Sequence, residues 1–331
     1  MAKKPKSIIY IMGALVIWLL LILTFQFLVS MNQIQQYSRT TSTSPKIALL
    51  LEGPTYDQAW NSTALQSMYQ LQDKYKFELE IVKEIDKNKI EKVASNLAAA
   101  KFDLVIGHGI IFSSPFDAIA PSYPDTRFVT LNGEVNHPNQ TVIKFDMEPA
   151  GYVIGKLSTL MTKTNKVGFI VTNMPNDMPL LAGLKRGVAE SSPKTTAIIK
   201  IIPDYNDQEA AIHASKELIA ENVDVIYSAG DSINLTVITV AQKHDILSIG
   251  YISDQRFIAP NHVITSLMQD VNQVYTNLID QFLFDQLPNG IVNYGLREGV
   301  NHLGPYGPMV SDEVKLEMTK TIDQLTRTST P

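Results

Sequence analysis

From Lys46 onward, short apolar runs rich in β-branched residues alternate with longer stretches whose apolar positions recur at helical spacing. Lys46–Leu51, KIALLL, predicts a strand; Gly53 and Pro54 turn the chain, and Asp57, Gln58, Trp60 and Asn61 open a helix. In parallel sheets, ligands bind beyond the carboxyl end of a strand, where the next helix offers unpaired N–H groups. The polar and aromatic cluster at this turn is therefore a site candidate.

The same alternation continues. Strands are predicted at 77–85, 102–108 and 127–133, with helices at 58–75 and 88–100; the second helix carries Ile90, Val93, Ala94, Leu97 and Ala98 on one face. A strand at 140–146 leads into a second half that repeats the pattern. Its strands are predicted at 166–172, 196–202, 224–229, 247–252 and 262–267, with helices at 148–161, 179–191, 207–221, 231–243 and 272–284. A late strand at 294–298 and a last helix at 311–325 close the chain. Alternating strands and helices are the signature of parallel-sheet units, and 331 residues exceed what one core usually holds. The expectation is an α/β fold of two doubly wound lobes facing each other across a cleft.

Residues 8–30 break this rhythm. They are almost continuously apolar, with no charge between Ser7 and Tyr37, and about twenty such residues suffice to cross a bilayer. Lys3, Lys4 and Lys6 precede the run and Arg39 is the first basic residue after it, which orients the amino terminus toward the cytoplasm. A cleavable signal peptide would have a shorter apolar core, about 7–15 residues, and a small-residue cleavage pattern; Leu28-Val29-Ser30 matches it poorly. The chain thus predicts a cytoplasmic amino terminus at 1–7, one transmembrane helix at 8–30, a polar stalk at 31–45 and a main body outside the plasma membrane.

Composition removes several functions. A net charge of -5 gives no broad positive field for nucleic acid, and three lysines at the amino terminus are too few to hold DNA. The absence of cysteine excludes disulfides, thiolate metal sites and the cysteine required for a bacterial lipid anchor. There is no GxSxG, P-loop, GxGxxG or HExxH pattern, and the six histidines lack metal-ligand spacing. A binding protein without cofactor or metal is expected rather than an enzyme.

Several segments, in order, carry a resemblance: DQAWN at 57–61, DLVIGHG at 103–109, YPDTRFVTLNG at 123–133, EPAGYVIGKL at 148–157, KTNKVGFI at 163–170, SAGD at 228–231, IGYISDQ at 249–255 and TSLMQDV at 265–271. Together they resemble the basic membrane protein or PnrA-like family of substrate-binding proteins, and within it the Med-type branch of Bacillales, described as positive regulators of competence. The resemblance implies a type I periplasmic-binding-protein fold with residues 46–145 and 256–286 in lobe one, and 146–255 and 287–331 in lobe two. It also implies a small-molecule ligand, possibly a purine nucleoside, and an ABC transporter permease or a membrane signalling protein as partner. Nucleoside-binding members use a D..FN motif, matched here by Asp57 and Asn61 with Trp60 at the aromatic position. They hold ribose with an aspartate and a lysine at the positions that Ile252 and Gln269 occupy here. An apolar side chain and an amide in place of two charges remove strong polar recognition.

Each remaining candidate has a plainer role beside the ligand-binding one. Asp57 could cap a helix and Trp60 fill core space. His108 sits between two glycines, which would let backbone approach a ligand, yet a lone histidine is more often a hydrogen-bonded structural residue. Asn132 and Asn173 follow strands, as turn residues do, and Asp231 opens a helix where a carboxylate offsets the dipole. The expected function is a membrane-anchored, extracytoplasmic ligand-binding protein; the alternative is a regulatory protein that keeps the fold and has lost nucleoside binding.

Overall fold

Strand β1 (Lys46–Leu51) is buried from its second residue onward in the computed structural model. Its side chains alternate between two cores: Ile47, Leu49 and Leu51 face one, Ala48 and Leu50 the other. A strand covered on both faces needs such an unbroken apolar run, because successive side chains point to opposite sides. The structure describes residues 44–52, 60–174 and 177–328, with Trp18, Thr24 and Gln26 before them. Apart from those three residues, the predicted span at 8–30 lies outside the described residues, as do the segment 1–7 and almost all of the stalk. Among the described residues no helix is long and apolar enough to cross a membrane.

After β1 come α1 (Trp60–Tyr75), β2 (Glu78–Val82), α2 (Ile90–Ala99), β3 (Leu104–His108), α3 (Ser113–Ile119), β4 (Arg127–Leu131) and β5 (Gln140–Phe145). Then follow α4 (Met147–Met161), β6 (Lys166–Thr172), α5 (Asp177–Ser191), β7 (Thr196–Ile202), α6 (Gln208–Ala220), β8 (Val225–Ser228), α7 (Asp231–Lys243), β9 (Leu247–Ile252) and β10 (Val263–Gln269). The chain ends with α8 (Val271–Leu283), β11 (Gly290–Tyr294), β12 (Asn301–Leu303) and α9 (Asp312–Thr328).

The strands form two sheets of like order, β2-β1-β3-β4-β5-β11 and β7-β6-β8-β9-β10-β12. All pairings are parallel except β12 on β10. Each sheet is doubly wound. In the first lobe α1 and α8 cover one face, and α2 and α3 the other; in the second, α4, α5 and α9 cover one face, and α6 and α7 the other.

The lobe boundaries differ from those drawn from sequence. Residues 263–269, expected in lobe one, form β10 and pair with β9 in the second sheet. Residues 290–294, expected in lobe two, form β11 and pair with β5 in the first. The late strand predicted at 294–298 thus lies a few residues earlier, and α3 and β12 were not predicted. The chain passes between sheets after β5, after β10 and after β11. These passages are stitched together: Asp146 N–H donates to Tyr294 O at 2.7 Å, Asp270 N–H to Val300 O at 2.8 Å, and Asn301 Nδ2 to Asp146 O at 3.1 Å.

Candidate functional site

The predicted site residues within the described part stand at or just beyond the carboxyl ends of strands in both sheets. Asp57 lies outside the described residues. The two sets of strand ends face each other: Glu52, just after β1, is pushed above its usual carboxylate range by partial burial and by the charge of Asp204, in the loop after β7 of the other sheet.

On the lobe-one side Trp60 opens α1, half-buried. Its indole stacks on the His108 ring with centroids 4.3 Å apart and planes 29° from parallel, and it forms a T-shaped pair with Phe145, centroids 5.9 Å apart and planes 61° from parallel. His108 itself is only 1% exposed. Of the two roles open to it from sequence, the structure gives it the plainer one, a hydrogen-bonded residue beneath Trp60. His108 Nε2 is 3.1 Å from the Trp60 carbonyl oxygen, and Nδ1 is 2.8 Å from the Tyr275 hydroxyl. A carbonyl only accepts, so Nε2 carries the proton. Burial holds the ring's pKa down to about 3, so the imidazole is neutral at physiological pH and Nδ1 accepts from Tyr275.

The flanking glycines permit this placement. A side chain at Gly107 would strike Phe112, and Gly109, with φ of 140°, turns the chain away immediately after the histidine. Asn61 is buried on the inner side of α1. Asn132 is half-buried in a left-handed conformation, φ 65°, and its N–H donates to Ile143 O of β5 at 2.7 Å, extending the β4–β5 ladder by one bond.

On the lobe-two side Asn173 is exposed just beyond β6. Asp231 opens α7, and its side chain lies outside what the structure describes. The carboxylate that organises this end is one the sequence reading missed. Asp177, the first residue of α5, is buried and accepts from Thr172 N–H at 2.8 Å, Thr172 Oγ1 at 2.7 Å and the Tyr205 hydroxyl at 2.9 Å. Burial raises its pKa against those bonds. The wholly buried Tyr227 hydroxyl has no hydrogen-bond partner among the described residues. A short spacing was visible in the sequence, Thr172 to Asp177, but not the fold of the loop that brings Tyr205 to it.

The turn after β9 is held by a buried amide network. Gln255 Oε1 accepts from Tyr251 N–H at 3.0 Å and from Asn234 Nδ2 at 2.7 Å, and Asn234 Oδ1 accepts from Ser228 Oγ at 2.8 Å. Within it Ile252 adopts φ 64°. That conformation costs an L residue roughly 1–2 kcal/mol and is least suited to a β-branched one, whereas aspartate and asparagine tolerate it. Gln269 is buried at the hinge, with Nε2 3.1 Å from the Met147 sulfur. Asn61, Asn139 and Asn234 each open an Asn-X-Thr triplet of the kind that accepts N-glycans, but Asn234 is committed to this network, Asn139 Nδ2 lies 3.0 Å from each of three backbone carbonyls, and Asn61 is buried.

Two doubly wound lobes joined by three passages, with polar and aromatic groups at opposed strand ends, define a two-lobed binding-protein fold. Residues 44–329 match the family model described as ABC transporter substrate-binding protein PnrA-like, and the chain belongs to that family. It is 27% identical to the transcriptional activator protein med of Bacillus subtilis over 86% of this chain and 89% of that protein. It is 26% identical to basic membrane protein A of Borreliella afzelii over 83% of this chain and 87% of that one. Among solved structures, a transcriptional activator of the comK gene from Bacillus halodurans superposes with a TM-score of 0.78 at 28% identity, covering 86% of this chain and 99% of that one. An ABC transporter solute-binding protein from Aeropyrum pernix gives 0.75 at 14% identity, covering 86% and 91%, a likeness of fold alone.

Proposed function

We propose that this chain is a membrane-anchored, extracytoplasmic binding protein that closes its two lobes over a small molecule. The observation that carries the reading is the opposition of Trp60, backed by His108, to the Asp177 and Gln255 networks beside a hinge of three passages. Contacts made to both lobes would favour the closed arrangement in proportion to their difference between states. His108 stacks on one face of the Trp60 indole, and a flat ring stacked on the opposite face is the contact this reading requires. A nucleoside suits that face, as the family resemblance suggests, with its sugar weakly held because Ile252 and Gln269 bring no charge.

Membership in a transporter-associated family supports an ABC permease as partner. The similarity to the med activator, together with the same two residues, favours a second reading: a regulator that answers to another membrane protein.

Trp60→Ala tests the ligand reading. Stacking on an aromatic ring is worth about 1–3 kcal/mol, so affinity for a bound base should fall roughly 5- to 140-fold while thermal unfolding stays cooperative. An unchanged affinity, measured by calorimetry, would remove Trp60 from the site. The anchor is tested separately, since a reporter enzyme fused after Ser42 should be active only outside the cytoplasm; activity inside would overturn the proposed topology.

A further inference from the structure

Trp60 is the first described residue after the turn that follows β1, and a bulky side chain at a helix start is ordinarily free to rotate. Here it is tied from below by a residue 48 positions away in sequence, which is in turn tied by one 167 positions further on. We infer that His108 is a positioning residue: with Tyr275 behind it, it presets the Trp60 indole in the orientation that receives a ligand. The consequence for affinity rests on the ligand-binding reading above, but the positioning itself does not.

Three contacts make the brace. The imidazole stacks under the indole at 4.3 Å, so rotation of Trp60 would break ring contact. Nε2–H donates to the Trp60 carbonyl, which fixes the backbone from which the indole projects. The Tyr275 hydroxyl, 2.8 Å from Nδ1, fixes the plane of the imidazole. Tyr275 is wholly buried on α8, the helix that returns to lobe one after the second passage, and α8 packs against α1. The brace therefore joins the strand end, the helix that carries the indole and the helix next to the hinge. No charged group takes part: the low pKa of His108 keeps the imidazole neutral, and its two hydrogen bonds fix the tautomer.

The chain has two tryptophans, Trp18 and Trp60, so the full chain carrying Trp18→Phe reports Trp60 alone in its fluorescence. In detergent micelles and without any ligand, its quenching by acrylamide should be partial, as for a half-buried ring, and constant from pH 5 to 9. His108→Leu keeps an apolar group in the core but removes both hydrogen bonds and the stack; emission should shift to the red and quenching should increase. His108→Gln, whose amide nitrogen can replace Nε2–H, should recover part of the shielding. Nitrogen-15 spectra of the histidine-labelled parent provide a readout independent of any variant's folding. One ring should remain in the Nε2–H tautomer across that pH range. A ring set that titrates in full near pH 6.5, or a well-folded His108→Leu variant with unchanged Trp60 quenching, would overturn the inference. Since no ligand is present, neither result depends on whether the chain binds a small molecule.

Discussion

Replacing Gly183 by alanine is expected to lower the stability of the second lobe sharply. Helices α4 and α5 approach so closely that a methyl group at Gly183 would sit 2.0 Å from the Glu148 carbonyl oxygen and 2.7 Å from the Tyr152 backbone nitrogen. The approach is reciprocal: at Gly151 the added carbon would meet Leu180 O at 2.2 Å. These neighbours are backbone, not flexible side-chain ends, so one helix must move off the other. Overpacking in a core ordinarily costs about 1–3 kcal/mol through side-chain adjustment; here the shift would also strain the Arg186 clamp on Glu148, at 2.8 and 3.2 Å, and its seat on the Tyr152 ring. Against a typical total stability of about 5–15 kcal/mol, that loss is large. Thermal unfolding followed by circular dichroism, with the exposed Lys185→Ala as control, should show it. A Gly183→Ala variant melting with the parent would mean that the two helices have freedom to separate.

Ile252→Asp combined with Gln269→Lys should raise affinity for a purine nucleoside by about two orders of magnitude. Hydrogen bonds from sugar hydroxyls to charged groups are worth about 1.5–3 kcal/mol each, and 1.4 kcal/mol is a factor of ten. The backbone at Ile252 already holds a left-handed conformation that aspartate accepts more readily than isoleucine. Ile252→Asn separates the two effects, because it relieves the backbone without supplying a charge. Calorimetric titration with adenosine or guanosine is the measurement. No gain in the double variant, with folding intact, would show that other groups of the opposed strand ends exclude the sugar.

Most of the elements were legible in the sequence because parallel strands buried on both faces leave continuous apolar runs, as at Lys46–Leu51 and Lys166–Thr172. Which sheet a strand joins was less legible. Val263–Gln269 reads as a strand wherever it pairs, and only its register against β9, Ser266 opposite Gly250, places it in the second lobe. The same holds for Gly290–Tyr294 against β5. Neither assignment leaves a trace in local periodicity.

The site was legible by position and not by role. The strand-end rule picked out Trp60, His108 and Asn132, and the family resemblance Ile252, but His108 is buried by Tyr275, a contact spanning 167 positions that no local pattern signals. Asp177 escaped because an acidic residue at a helix start reads as a dipole partner; its three donors come from Thr172 and Tyr205. The glycines at 151, 155, 183 and 187 show a four-residue spacing in sequence, yet their meaning appears only when the two helices are paired.

The central claim, that the two lobes bind a small molecule, is tested most directly by a thermal-shift screen of the chain from Ser44 onward against nucleosides, bases and other small metabolites. A ligand that binds only the folded state stabilises it by about 2.7 kcal/mol at a hundred times its dissociation constant. A binding protein should give a reproducible, concentration-dependent rise in melting temperature with at least one flat-ringed compound, lost in Trp60→Ala. An unchanged melting temperature across the whole panel would contradict it and favour a regulator whose partner is another protein.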